Sequence, residues 1–258
     1  MGQVPAFTSY LVIGDGRVAR HFRRYFEFEA LPFYPWSRRQ NTKNELVNLS
    51  EHVSHVLLLI SDRAIEPFLH ENPYLLDKIC VHMSGALSVG GATSVHPLMT
   101  FSDTLYELEF YRQIPFVIER DANENNALQR FLPGLRNPCF GLSTEHRVLY
   151  HALCVLAGNF TVLLWEKAFR EFAGKFDLPK DVLIPYLMQT VKNLASSTAG
   201  DSVLTGPLAR ADFSTINKHL KVLENDPYHE VYLAFTHAFQ REVHDEVSAR
   251  LSQNEVTR

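Results

Sequence analysis

Short, nearly continuous apolar runs punctuate the first half of the chain. Residues 10–13, 31–36, 55–60 and 79–83 predict strands, 94–101 and 115–119 add two more, and 18–29 predicts a helix between the first two. Runs without clean alternation suit a parallel sheet covered on both faces, so this β-α-β order predicts a doubly wound α/β unit. Near residue 140, after PGLRNPCFG, the texture changes. Residues 143–173 contain no proline and a single glycine, Gly158, in near-helical period, which predicts a helix of about 45 Å. Helices are also expected over 180–196, 213–223 and 228–251, separated by AGDSVLTGP and ENDP. The division expected is an α/β domain over 1–140 and an all-α domain over 141–258.

The first predicted strand runs into Gly14-Asp15-Gly16-Arg17-Val18-Ala19, a G-x-G-x-x-A turn that opens the first helix. At such a turn Gly14 makes the bend, Gly16 lets the backbone approach a pyrophosphate, and Ala19 permits close helix-to-strand packing. The helix N-terminus adds N–H groups and partial positive charge. The alternative is a purely structural glycine turn. An NAD site places an acid roughly 20 residues past the glycines, yet no Asp or Glu occurs between Ala30 and Asn44. Ser37, Arg38 and Arg39 stand there instead, offering a hydroxyl and two guanidinium forks suited to a 2′-phosphate, unless they form a solvated basic turn. NADP, as NADPH, is therefore the expected cofactor, held by Gly14, Gly16, Arg17, Val18, Ala19, Ser37, Arg38 and Arg39, with Ser61 and Ser84 at the ends of later strands. Arg17, Arg20, Arg23 and Arg24 on the first helix read as solvent-facing charge that also creates a local positive field.

HVLLLISDRAI, HMSGALS, SVHPLMTF, LYHALCVLAGNFTVLLWEKA and LTGPLARADFSTINKHL, in that order, resemble a family of Rossmann-like oxidoreductase-type proteins with a C-terminal helical domain of unknown function. The N-terminal half also resembles the wider group of pyrroline-5-carboxylate reductase, ketopantoate reductase and the β-hydroxyacid dehydrogenases. The resemblance implies a Rossmann-type sheet binding NADP or NAD, a substrate between the domains and dimerisation through helices. Two departures stand out. Ala211 replaces the glycine of the family's R-G-D loop, and the lysine-and-asparagine helix pattern of the β-hydroxyacid dehydrogenases is not reproduced.

Hydride transfer to a ketone or imine needs a nearby proton donor. His82 and Ser84 follow the fourth strand, and His96 lies in a similar position before Pro97, so His82 and His96 are candidates for substrate binding or for structural hydrogen bonding. On the long helix His151 and Asn159 interrupt an apolar run and are candidate catalytic groups, or else helix-packing hydrogen bonders. Arg210 offers a clamp for a carboxylate or phosphate; Asp212 is a second candidate for substrate binding or a helix cap. His219 or His151 is the expected proton donor. His229, His237 and His244 are spaced too loosely for a metal site, and none is expected. P-loop and nucleophile-elbow motifs are missing from the sequence.

Composition narrows the class further. With 46% hydrophobic residues, 21% charged residues and a net charge of −4, the chain does not read as a nucleic-acid binder. Cys80, Cys139 and Cys154 form no C-x-x-C pair, which fits a reducing cytoplasm. MGQVPAFTSY lacks the regions of a signal peptide, Ala6 replaces the residue a myristoylation site needs, and no uncharged apolar run is expected to reach bilayer length. These features together predict a cytoplasmic, homodimeric NADP-dependent oxidoreductase acting on a small keto or imine substrate. The alternative is a non-catalytic NADP-binding sensor or partner-binding protein.

Overall fold

The computed structural model describes residues 8–119, 127–198 and 202–240. The chain divides into two compact units, 1–170 and 171–258. In the first unit the order is β1 (Tyr10–Ile13), α1 (Arg17–Phe28), β2 (Phe33–Trp36), α2 (Lys43–Glu51), β3 (His55–Leu58), α3 (Asp62–Glu71), β4 (Ile79–His82), β5 (Ala92–Pro97), α4 (Leu108–Gln113), β6 (Phe116–Glu119), α5 (Ala127–Phe131), β7 (Cys139–Leu142) and α6 (Arg147–Cys154). A π-helical turn, Val155–Phe160, joins α6 to α7 (Thr161–Phe176), which crosses into the second unit.

The strands form one sheet in the order β2-β1-β3-β4-β5-β6-β7, parallel except where β5 meets β6. Every residue of β1 and β3 is buried. Because side chains alternate along a strand, Tyr10 and Val12 enter one apolar layer with Phe22, Phe26 and Leu57, while Leu11 and Ile13 enter the opposite layer with Leu46, Val56 and Ile65. The doubly covered sheet expected from the apolar runs is the observed one. Pro35 is tolerated because β2 is an edge strand.

Several local expectations are corrected. The fifth strand ends at Pro97 rather than continuing to residue 101. Helices α2 and α3, each burying only two residues, are not among the elements expected from the apolar pattern. Thr42 nevertheless announces α2 through a capping box with Glu45, which was legible in the sequence. The long helix is continuous over Thr144–Phe176, 33 residues, and contains an 18-residue window of mean hydropathy 1.7 with none of it buried. By length and composition it is long and apolar enough to cross a membrane, against the expectation that no run would be.

In the second unit the elements are α8 (Ile184–Ser196), α9 (Phe213–Val222) and a helical stretch over 228–240. The remainder of the expected last helix, with His244, lies outside the described residues. Ala211 keeps φ at +52°, the left-handed conformation that a glycine adopts freely, so its Cβ is carried there at some cost in strain.

The turn after β1 is tightly packed. Gly14 has φ +132°, and a Cβ there would lie 2.2 Å from the Leu59 carbonyl oxygen. At Gly16 a Cβ would meet nothing within 4 Å. Gly14→Ala should therefore destabilise the fold by on the order of 3 kcal/mol, and Gly16→Ala by about 1 kcal/mol or less. Equilibrium denaturation of both variants checks the difference.

Candidate functional site

At the carboxyl ends of β1, β2 and β3 lies a cavity of about 690 Å³. It sits where the strand order reverses, the crevice in which open α/β sheets bind ligands. Gly14, Gly16, Arg17, Val18, Ser37, Arg38, Arg39 and Ser61 all line it, so most of the predicted cofactor set converges. Ala19 does not line it; it is fully buried in the first turn of α1, the packing role the motif assigns. Ser84 does not line it either and belongs to the second cluster described below.

The turn is held from three sides. Gly14 N–H donates to the Trp36 carbonyl at 2.9 Å, Leu59 N–H donates to the Ile13 carbonyl at 2.8 Å, and Arg23 donates to the Gly14 carbonyl at 3.3 Å. Arg23 thus braces the turn, while Arg20 pairs with Asp103 and Arg24 with Glu27 at the surface. Gly16 caps α1 without a side chain, leaving its first amides to a ligand. On the β2 side the buried Ser37 hydroxyl has no partner among the described residues, and Arg39 lies 3.8 Å from Asp15. Arg38 is exposed at the cavity wall. The sequence reading missed Trp36 and Phe68, whose rings meet at 5.8 Å on this wall, and also Arg63 and Glu71. Those contributions from α3 become visible only once that helix is placed. A free cradle of amides, an orphaned hydroxyl and an open guanidinium fit the pyrophosphate and ribose phosphate of a dinucleotide.

A second polar cluster gathers where β4 and β5 end. The Ser84 hydroxyl donates to Asp62 at 2.6 Å, and the Ser94 hydroxyl donates to the Ser84 carbonyl at 2.6 Å. Arg147, at the start of α6, is almost completely buried and donates to that same carbonyl at 2.8 Å and to the Ser94 hydroxyl. Among the described residues its Nε and Nη1 find no partner, nor does the Nε2 of fully buried His82. His96 Nδ1 lies 2.7 Å from the Tyr150 hydroxyl, and its ring lies 6.0 Å from that of His151. Burial first, and Arg147 second, push the His82 imidazole down to about 4. Burial, then His151 and Arg147, push His96 to about 4. Both rings are therefore neutral at neutral pH.

This cluster unites His82, Ser84, His96 and His151, and adds Asp62, Arg147 and Tyr150, which sequence reasoning missed. A signal existed for two of them: Arg147 and Tyr150 precede His151 by four and one residues on one helix. Asp62 sits between Ser61 and Arg63 of the cavity wall, so the cluster adjoins the cavity. Asn159 is exposed in the π-helical turn, beside Gly158, whose position faces Thr100. In the second unit Asp212 caps α9 through Thr215, and His219 Nδ1 lies 2.9 Å from the Tyr232 hydroxyl. Asp212 and His219 are thus each engaged with other partners. Arg210 is exposed. Among the described residues no three His, Cys, Asp or Glu side chains gather as a metal site would require.

Residues 114–239 match the model of a domain of unknown function, DUF2520. Three solved structures are similar over nearly the whole chain. A Bacteroides fragilis protein named as an inferred NADP oxidoreductase is 22% identical, with a TM-score of 0.72 over 91% of this chain and 98% of that one. A Streptomyces aurantiacus imine reductase is 14% identical, with a TM-score of 0.62 over 91% and 94%. Plasmodium falciparum pyrroline carboxylate reductase with NADP bound is 12% identical, with a TM-score of 0.56 over 90% and 99%. The sequence matches no curated protein. At these identities the likeness shows the fold, a Rossmann-type sheet followed by a helical region, as the motifs led us to expect.

Neutral His82 makes stability depend on pH. The unfolded chain takes up this proton near 6.5 and the folded chain only near 4, so the contribution is whole above about pH 6.5 and is lost as pH falls toward 4. Denaturation midpoints of the wild type should fall through that window, and those of His82→Gln should fall less steeply.

Proposed function

We propose that the protein is an NADP(H)-dependent oxidoreductase that moves a hydride between the nicotinamide and a small keto or imine compound. The observation that carries this reading is the Gly14–Gly16 cradle ending at an acid-free, doubly basic β2 terminus. The amides at the start of α1 hold the pyrophosphate, while Ser37 and Arg38 hold the 2′-phosphate. Arg39 offsets the Asp15 carboxylate, which would otherwise repel the phosphates. When bound, the nicotinamide supplies the hydride. His96 contacts the substrate at the β4–β5 edge, fully buried His82 does not reach it, and His151 is the favoured proton donor. The names of the similar structures, an imine reductase and an NADP-bound pyrroline carboxylate reductase, support the same reaction class.

Among the described residues Cys80 and Cys154 form no disulfide, which supports a reducing compartment such as the cytoplasm. The outward apolar side chains of α6 and α7, among them Val148, Leu149, Leu153 and Leu163, are at least half exposed. We assign a second copy of the chain as their cover, giving a homodimer.

Fluorescence titration tests the cofactor. NADPH should bind more tightly than NADH, and Arg38→Ala should weaken NADPH binding about 10- to 100-fold while leaving NADH little changed. If neither nucleotide binds, the reading falls. Light scattering at micromolar concentration should show a dimer, and Leu153→Asp with Leu163→Asp should shift it to a monomer.

A further inference from the structure

Ser37, Arg38 and Arg39 stand on the short segment between β2 and α2, so whatever shapes that segment shapes the binding of a ribose phosphate. Ser37 follows β2 directly, and residues 38–40 form the turn that leads to α2. The Ser37 carbonyl accepts from Gln40 N–H at 3.1 Å and from Asn41 N–H at 2.9 Å. The Asn41 side chain returns the contact, its Oδ1 accepting from Ser37 N–H at 3.0 Å. A backbone N–H only donates, so the oxygen of the Asn41 amide, not its nitrogen, faces Ser37. Asn41 thus takes up both backbone groups of Ser37 and closes the turn on itself.

The far end of the turn is fixed as well. Trp36 Nε1–H donates to the Thr42 carbonyl at 3.0 Å, and Thr42 is held by its capping box with Glu45 at the start of α2. Inside this frame donors are left over. Among the described residues the buried Ser37 hydroxyl has no partner, and the backbone N–H groups of Arg38 and Arg39 make no hydrogen bond. Ser37, Arg38 and Arg39 line the cavity, whereas Asn41 does not and borders a separate hollow with Tyr34, Pro35 and Glu45. The residues that offer donors face the cavity, and the residue that closes the turn stands outside it.

We propose that Asn41 is the positioning residue of the 2′-phosphate seat: by clamping Ser37 it presets the hydroxyl and the amides that follow, and so sets the preference for NADPH over NADH without touching either nucleotide. This inference rests on the NADP reading above. An open loop would have to be ordered when the phosphate arrives, and that ordering costs affinity. A turn already closed by Asn41 has lost the freedom beforehand. The effect falls on the phosphate alone, because NADH carries a plain hydroxyl at that place and the pyrophosphate of both nucleotides is met by the amides of α1, a separate element.

The test combines amide exchange of the full chain without nucleotide, followed by ¹H–¹⁵N NMR, with nucleotide titration. Asn41→Ala should speed exchange of the Ser37 amide at least about tenfold while the amides of β1 stay unchanged. Asn41→Asp, which keeps the acceptor oxygen, should restore the protection. In fluorescence titration Asn41→Ala should weaken NADPH about tenfold and NADH less than about twofold. Combined with Arg38→Ala, the losses should fall short of additive, since both act on one phosphate. An unchanged Ser37 amide in Asn41→Ala overturns the proposal, and so does equal weakening of both nucleotides, the mark of a merely structural role. If the wild type prefers NADPH and Asn41→Ala keeps that preference in full, the proposal falls and the cofactor reading stands. If the wild type binds neither nucleotide, the cofactor reading itself falls and takes the proposal with it.

Discussion

The close passage of Gly14 against the Leu59 carbonyl organises the end of the sheet where the cavity lies. Because that carbonyl occupies the space of a side chain, β1 can turn into α1 directly above the β1–β3 pair. The same turn points the uncapped amides of α1 at the cavity. Arg23 reaches back from α1 to the Gly14 carbonyl, so α1 also steadies the bend that aims it. Fold and binding geometry share one constraint here: the absence of a single Cβ.

Arg147 plays the corresponding part at the other cluster. A buried guanidinium is costly to desolvate, and this one is held by the Ser84 carbonyl and the Ser94 hydroxyl, with two nitrogens left over among the described residues. Its effect is electrostatic as well as mechanical. It fastens the start of α6 to the β4–β5 edge, and its charge helps keep His82 and His96 neutral. Tyr150 and His151 follow on the same helix, so the anchoring of one residue sets the approach of the other two.

The long helix shows the limit of pattern reading. Its apolar period predicts a helix correctly, but an apolar residue looks the same in sequence whether it faces a core, a second protein or lipid. The structure leaves this surface exposed over Thr144–Phe176. The π-helical turn at Val155–Phe160 also escapes the pattern, since one widened turn barely disturbs the spacing of apolar residues around it.

Sequence alone determined the features that rest on local rules. Continuous apolar runs required a sheet buried on both faces, and the spacing of Gly14, Gly16 and Ala19 required a strand-to-helix turn. The stretch from Ala30 to Asn44, free of acids and carrying Arg38 and Arg39, shaped the cofactor expectation. Tertiary structure alone decided which distant residues meet. Asp62, Ser84, Ser94 and Arg147 lie on four separate segments, and nothing in their spacing brings them together. Burial then sets the charge state of His82 and His96, because an imidazole loses its proton where water is excluded and a guanidinium is near. The sequence could name histidines as candidates; only packing could make them neutral.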